Sequence, residues 1–324
     1  MLDKDILSRH NAHMSHEQQV HNWTGETYFI QSYAKINLTL DILGRRADGY
    51  HDLATVMQMI DLSDTICLTA IDEDCVRVVC SRPDLSNADN LVVRAAQAVR
   101  QRLGLSQGVL IELQKRIPVA AGLAGGSSNA TAVLLALQRW WHLPLSSTDL
   151  FAIAASLGSD VSFFLSGGQA LCEGRGERVT PLPAHWPATM RWIVLLKPAI
   201  GIATATVFRN LPASDYTDAT EGHTHSNNVC TALRTRQEFA LEHLHNGLER
   251  SVLEHYPEVA AAREALLQAG ARWVRLSGSG PTLFTTFPDL ESAAQTEHTL
   301  RDQGYEVYLT RAIFPNGENV YYYH

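Results

Sequence analysis

Between Tyr33 and Ile42 every second residue is apolar. Ala34, Ile36, Leu38, Leu40 and Ile42 alternate with polar neighbours, the pattern of a half-buried strand. Lys35 and Asn37 then share its other face, about 7 Å apart at ~3.3 Å per residue. Asp48-Gly49 marks a turn, and Tyr50-His51 re-enter a run ending in Met57-Gln58-Met59-Ile60. Short β-rich segments follow at 66–69 and 76–79. Helical spacing begins at Asn90 and runs to Leu103, with Leu91, Ala95, Ala98, Val99 and Leu103 on one stripe and Gly104 as its stop. Residues 109–113 read as a strand that feeds the segment Pro118-Val119-Ala120-Ala121-Gly122-Leu123-Ala124-Gly125-Gly126-Ser127-Ser128. Beyond it, apolar residues from Ala130 to Trp141 recur at helical spacing. Ser146 and Asp149 form a capping box for a further helix that stops at Gly158, and Ser159-Asp160 opens a short apolar segment over 161–165.

The pattern changes near Trp186. Pro181, Pro183 and Pro187 mark a connection, and the continuous apolar run 192–196 predicts a buried strand. Residues 211–228, rich in Thr, Asp, Ser, Asn and His, predict an exposed loop. Helices fit 238–255 and 257–268, the second with Pro257 in its first turn and Gly270 as its stop. Strands at 274–276 and 282–287 flank Gly278-Ser279-Gly280, and a helix over 290–301 and a strand over 305–309 complete the chain. No internal repeat is evident. The expectation is an α+β fold in two domains, 27–185 and 186–324, behind a polar extension over 1–26. That extension carries His10, His13, His16 and His21 and mixes acids with bases, so it matches neither a signal nor a transit peptide and reads as weakly ordered.

Composition narrows the function classes. The 324 residues are 45% hydrophobic and 19% charged, ordinary for a globular chain of about two domains. The formal net charge of −8 argues against a nucleic-acid partner, because gripping phosphates calls for a basic excess. Five cysteines without C-x-x-C spacing read as reduced thiols of a cytoplasmic protein. No run of ~18 apolar residues suggests a membrane span.

Three features carry candidate chemistry. Segment 122–128 lies between a strand and a helix, where unpaired N–H groups and the helix dipole suit an anion; a tight turn without ligand explains it too. It lacks the Gly-Lys-[Ser/Thr] ending of a Walker A loop and does not match G-x-G-x-x-G. Asp160, at the start of a helical turn, is either an acidic cap or a carboxylate able to orient an attacking hydroxyl. Gly278-Ser279-Gly280 is a second glycine turn for which a hairpin loop is the plain explanation. Lys35 on a strand fits a solvated edge as well as a site. No protein metal ligand is assigned.

Taken together, these segments resemble the GHMP small-molecule kinases, which carry three separated motifs. Tyr33-Ala34-Lys35-Ile36-Asn37-Leu38, Pro118 through Ser128, and Leu276-Ser277-Gly278-Ser279-Gly280 match them in order. Arg46-Ala47-Asp48-Gly49-Tyr50-His51 and Gly158-Ser159-Asp160-Val161 narrow the likeness to the branch that uses ATP to phosphorylate the 2-hydroxyl of 4-diphosphocytidyl-2-C-methyl-D-erythritol, in non-mevalonate isoprenoid precursor biosynthesis. The resemblance runs from about residue 30 almost to the end. It implies a two-domain α+β kinase with its site in the interdomain cleft, using ATP and Mg²⁺, with Ser127 as a candidate Mg²⁺ ligand. Asp160 would be the catalytic carboxylate and Lys35 its charged partner. Pro118 to Ser128 would bind ATP, with Gly122 to Ser128 wrapping the triphosphate and Asn90 and Lys115 near the adenosine end. Asn37, Tyr50, His51, Thr204, Phe208, Gly278, Ser279 and Gly280 would meet the acceptor, a small molecule carrying a cytidine diphosphate. Tyr50 and Phe208 would clasp the base and His51 would recognise its polar groups. Ala120, Ala121 and Ala124 stand where relatives can carry glycine, which alanine tolerates at negative φ. Homoserine or mevalonate kinases would not need the Asp-Gly-Tyr-His string, and a non-catalytic relative would be expected to lack Asp160 or Lys35.

Overall fold

The computed structural model describes residues 26–218, 224–239 and 241–314. The expected polar extension, apart from Glu26, lies outside the described residues, as do residues 219–223 of the expected loop.

Strand β1 (Thr27–Asn37) and strand β2 (Thr39–Arg45) are separated at Leu38, so the one strand expected over 33–42 is two. Nor is it half-buried. Lys35 is 3% exposed and Asp41 0%, because both faces of the segment are covered. Both strands pair antiparallel with β3 (His51–Ile71), a single strand of 21 residues where the pattern predicts short pieces. Polar positions such as Gln58 and Asp64 do not end β3 because neighbours keep it paired along its length. Near His51 these are β2 and β6 (Gln169–Gly174); near Ile71 they are β1 and β5 (Gly108–Gln114). Strand β4 (Val76–Cys80) adds parallel to β5, and β7 (Arg178–Pro181) adds to β6. Neither β6 nor β7 was evident from periodicity.

Helices α1 (Leu91–Leu103), α2 (Gly125–Trp140) and α4 (Ser159–Ser166) pack on this sheet, and α3 (Ser147–Leu157) packs against all three. The Asn90 side chain caps α1, accepting from the Val92 N–H at 3.1 Å, and α3 carries the expected Ser146–Asp149 capping box. Val92, Val99, Leu134 and Leu137 meet Ile66, Leu68 and Ile111 in one core.

The second half holds a four-stranded antiparallel sheet. Strand β8 (Trp192–Lys197) lies between β11 (Leu283–Phe287) and β12 (Glu306–Thr310), with β10 (Arg275–Leu276) outside β11. Helices α8 (Pro257–Gln268) and α9 (Leu290–Asp302) cover it. Two helices were missed, α5 (Thr204–Arg209) and α6 (His225–Arg234). Thr224 starts α6 inside the expected loop by accepting from the Asn227 N–H at 3.1 Å. The helix expected over 238–255 is helical only as α7 (Glu249–His255), preceded by a 3₁₀ turn at Leu241–His243 and the short strand β9 (His245–Asn246). Asn246 holds that segment extended: its amide donates to Leu276 O and Gly278 O and its oxygen accepts from the Leu248 N–H. Strand β9 pairs parallel to β2, so the second half contributes to the first sheet.

The alternation of β1 joins the two halves. Ala34, Ile36 and Leu38 pack with Ile193, Leu195 and Phe284 at the seam, while Lys35 and Asn37 turn the other way, into a cleft. Val194 and Leu196 enter a separate core with α7 and α8, which is why β8 reads as continuously apolar.

Candidate active site

A cleft of about 1050 Å³ opens between the halves. On β3, His51, Leu53, Thr55 and Met57 line it; the period of two puts all four on one face of the strand. Lys35 lies beneath. Its Nζ donates to Asn37 Oδ1 at 2.7 Å and to Gly122 O at 3.0 Å, and stands 3.6 Å from Asp160 Oδ2. Asn37 is fixed in turn, its amide donating to Thr55 Oγ1 at 2.8 Å. Asp160 sits in the first turn of α4 with its side chain 31% exposed. A buried ammonium thus faces a carboxylate that solvent or a hydroxyl can reach.

The two glycine turns close on this lysine. Gly122 has φ +77°, and a Cβ there would fall 2.2 Å from Ser277 O, so only glycine lets the turns approach. Gly278 has φ +58°, and a Cβ there would stand 3.1 Å from Asn37 Oδ1 and 3.3 Å from Lys35 Nζ. Gly278-Ser279-Gly280 is indeed the hairpin turn between β10 and β11, yet it also borders the cleft. The backbone of 118–122 and 124–127 lines the cleft and leads into the N-terminus of α2, a backbone suited to phosphate. Ala120 and Ala124 hold left-handed backbone, with φ of 51° and 54°, contrary to the negative φ expected of alanine there. The close packing of the loop on Lys35 and the 277–280 turn imposes this conformation on residues that do not favour it.

Of the residues expected at the nucleotide, Asn90 and Lys115 line the cleft. Asn90 spends its amide on the α1 cap and on Leu85 O. Lys115 Nζ donates to buried Asp64 at 2.5 Å and to Asn129 at 3.1 Å, and Asp64 also accepts from the Arg116 and Ile117 N–H groups. Three expected residues do not line the cleft. Leu123 is in the seam core and offers only its carbonyl, to the Lys35 N–H; Ser128 is fully buried; Gly280 closes its turn onto Ser277 O.

At the far end of the cleft, aromatic rings gather. The His51 and Phe208 rings lie 5.3 Å apart, and Tyr216 meets His51 edge-on with Oη 3.3 Å from Nε2. The Arg175 guanidinium sits 5.0 Å over exposed Tyr50. Burial, and secondly the Arg45 charge, hold the His51 imidazole below its usual proton affinity. Thr204 and Ser279 share a hydroxyl hydrogen bond of 2.8 Å across the second-half wall.

Residues 90–168 match the GHMP kinases N terminal domain and residues 232–306 the GHMP kinases C terminal domain. A 4-diphosphocytidyl-2-C-methyl-D-erythritol kinase of Geobacillus kaustophilus is 44% identical over 261 residues, 79% of this chain and 86% of that protein. One of Shouchella clausii is 39% identical over 292 residues, 90% and 96% of the two chains. The chain belongs to the 4-diphosphocytidyl-2-C-methyl-D-erythritol kinase branch of the GHMP kinases. A solved 4-(cytidine 5'-diphospho)-2C-methyl-D-erythritol kinase superposes with a TM-score of 0.74 at 31% identity, covering 88% of this chain and 99% of that one. The homoserine kinase of Cytophaga hutchinsonii, with a TM-score of 0.63 at 21% identity over 88% and 95% of the chains, shares the fold.

Membership in this kinase family makes the overlooked residues informative. Thr55 and Asn246 support the lysine and the 278–280 turn, Asp64 anchors Lys115, and Arg175 and Tyr216 add to the aromatic end. Arg175 carried a readable signal, an arginine flanked by Gly174 and Gly176. Asp64 was legible only as a polar break in an apolar run. Tyr216 had no local signal, since it reaches the cleft from a loop of polar composition.

Proposed function

We propose that this kinase transfers the γ-phosphoryl group of ATP to the 2-hydroxyl of 4-diphosphocytidyl-2-C-methyl-D-erythritol, in the non-mevalonate route to isoprenoid precursors. The observation that carries the reading is the Lys35–Asp160 pair, set between a glycine-rich phosphate loop and a group of aromatic rings. Family membership supports the substrate, and one cleft borders both the glycine-rich loop and the ring cluster. Domains of 27–185 and 186–324 would supply its two walls, and a cytoplasmic location suits a consumer of ATP whose five cysteines are unpaired.

In the mechanism, the N–H groups at 122–127 and the start of α2 hold the triphosphate. Asp160 accepts a hydrogen bond from the acceptor hydroxyl and orients its oxygen toward the γ-phosphorus. As that oxygen–phosphorus bond forms, the bond from phosphorus to the β,γ-bridging oxygen breaks, ADP leaves, and the hydroxyl proton passes to Asp160. The transition state is loose, so positioning and charge compensation outweigh proton removal. Lys35 supplies a fixed positive charge; its other hydrogen bonds, to Asn37 and Gly122, prevent it from swinging away. Asp160 and Ser127 both border the cleft, one carboxylate and one hydroxyl, a donor set that fits Mg²⁺ held mainly by nucleotide phosphates. When bound, Mg²⁺ supplies charge neutralisation on the phosphate oxygens. Tyr50, His51, Phe208 and Tyr216 receive the cytidine, with stacking worth ~1–3 kcal/mol per base in comparable sites.

The deciding experiment measures ADP release with Mg²⁺ against diphosphocytidyl methylerythritol, homoserine, mevalonate and galactose. Turnover confined to the first is the expected result. Turnover of another acceptor instead would overturn the substrate assignment.

A further inference from the structure

Away from the cleft, three side chains distant in sequence converge where β2, β9 and α6 meet. Asp41 on β2 is fully buried, and His225 and His245 lie half-buried on α6 and β9. Parallel pairing of Thr39 with His245 brings β9 alongside β2. His225 Nδ1 stands 2.9 Å from Asp41 Oδ1, the imidazole rings stack with centroids 4.0 Å apart, and one ligand atom from each residue lies within 4.8 Å of the others. The second oxygen of Asp41 is held by the Ser226 N–H at 2.8 Å and by Ser226 Oγ at 2.5 Å. That leaves Oδ1 on the side of the histidines.

We propose that Asp41, His225 and His245 form a site for a divalent transition-metal ion of the zinc class, separate from the phosphoryl-transfer cleft. Two imidazoles and a carboxylate suit Zn²⁺ far better than Mg²⁺, which prefers oxygen donors and water. Tetrahedral ligands at about 2.1 Å from zinc stand about 3.4 Å from one another. Coordination requires one of the stacked imidazoles to turn out of the stack so that both in-plane lone pairs meet the ion. The His225 side chain is 35% exposed, so the ring can turn and an ion can enter. The ion takes the position between His225 Nδ1 and Asp41 Oδ1 that a proton now occupies, and water completes the coordination. Ser226 then acts as the outer partner that orients the carboxylate.

An Asp–His hydrogen bond needs no metal. The second imidazole is harder to explain on structural grounds alone. Stacked rings give no mutual hydrogen bond, and protonation of either penalises the other. Half-buried on β9, His245 brings a ring nitrogen within 4.8 Å of the ligand atoms of both Asp41 and His225. Arg275 acts on His245 in the direction that opposes a cation, and the Asp41 carboxylate offsets it. An ion here fastens the start of α6 to the β2–β9 seam.

The test uses full-length, metal-stripped protein without nucleotide, titrated with Zn²⁺ by calorimetry and with Co²⁺ by visible absorption. The expected result is one equivalent that gives a tetrahedral Co²⁺ spectrum and raises the melting temperature. His10, His13, His16 and His21 offer competing ligands, so His245→Ala is the discriminating variant. It is expected to weaken that equivalent on the order of 100-fold, at or above the loss an outer-shell partner causes. His245→Cys is expected to retain it and to add a thiolate-to-cobalt charge-transfer band. Absence of Zn²⁺ binding by the wild type, or His245→Ala binding equal to wild type in number, affinity and spectrum, would overturn the site. Should His245→Ala fail to fold, the presence or absence of the His245→Cys band decides.

Discussion

Lys35 Nζ approaches Asp160 Oδ2 to 3.6 Å while donating to two other acceptors. That spacing is an ion pair without a hydrogen bond, so the carboxylate is steered by charge yet keeps its lone pairs for a substrate. Asp160→Asn preserves shape and removes the charge. We expect a folded protein with ATP affinity within a few-fold of wild type and kcat lower by about 10²–10⁴. Steady-state kinetics paired with nucleotide calorimetry measure both, and near-wild-type turnover would remove Asp160 from the mechanism.

The two glycine turns should fail differently. At Gly122 the added methyl meets backbone, Ser277 O at 2.2 Å, so Gly122→Ala is expected to unfold or to melt many degrees lower. At Gly278 it meets the ends of Asn37 and Lys35, which can give way. Gly278→Ala should fold at a cost of about 1–2 kcal/mol and lose kcat by displacing the lysine. Thermal melts and kcat on both variants check this; full activity in Gly278→Ala would show that the lysine position is not critical.

Ala120 and Ala124 lie in left-handed backbone. Relief of roughly 1 kcal/mol of strain offsets the ~0.4–1 kcal/mol of added chain entropy that glycine brings. Ala120→Gly and Ala124→Gly are therefore expected to leave stability unchanged or raise it slightly. Ala132→Gly, inside α2, should lower it by about 1 kcal/mol. Urea titrations distinguish the two classes, and equal losses at all three positions would contradict the strain.

His51 binds its proton more weakly folded than its ordinary value of 6.5, through burial and then Arg45. The unfolded chain therefore takes up the proton first as pH falls. The stability linked to His51 is complete above 6.5 and is lost as pH falls through the lower, folded value. For activity, the acceptor KM should stay flat down to pH 6.5 and rise below it, while the ATP KM does not follow. Tyr216→Phe should raise the acceptor KM alone, by removing the Oη partner of His51. Parallel rises in both KM values would deny these two residues to the acceptor end.

Much of this was legible because the informative residues are local. Glycine turns, capping residues and the alternation at 34–42 announce themselves within a few positions, as Asn90, Ser146 and Gly122 show. What escaped depends on distant partners. Strand β3 continues through Gln58 because Gln169 and Ile313 O satisfy its amide from far along the chain. The segment before α7 is extended because Asn246 bonds to a turn thirty residues on. Lys35 gave an edge-strand signal and is buried, because its ammonium donates to Asn37 and Gly122 and faces the Asp160 carboxylate, the last two far along the chain.

Strand β3 has a further implication. His51 beside Phe208, Thr55 bonded to the Asn37 that holds Lys35, and Asp64 paired with Lys115 all belong to β3. The stretch from the first to the last is about 40 Å of contour at ~3.3 Å per residue. It is paired with β6 from Leu53 to Gln58, where a slip of one residue would turn every side chain to the wrong face, and its register with β1 shifts beyond Ile60. On the proposed function this strand would act as a built-in gauge: an acceptor would be measured by whether its far end reaches the rings while its hydroxyl rests at Asp160. Selectivity of this kind would resist single substitutions in the walls, and changes of acceptor in evolution should come from the second-half segments around Phe208 and Tyr216.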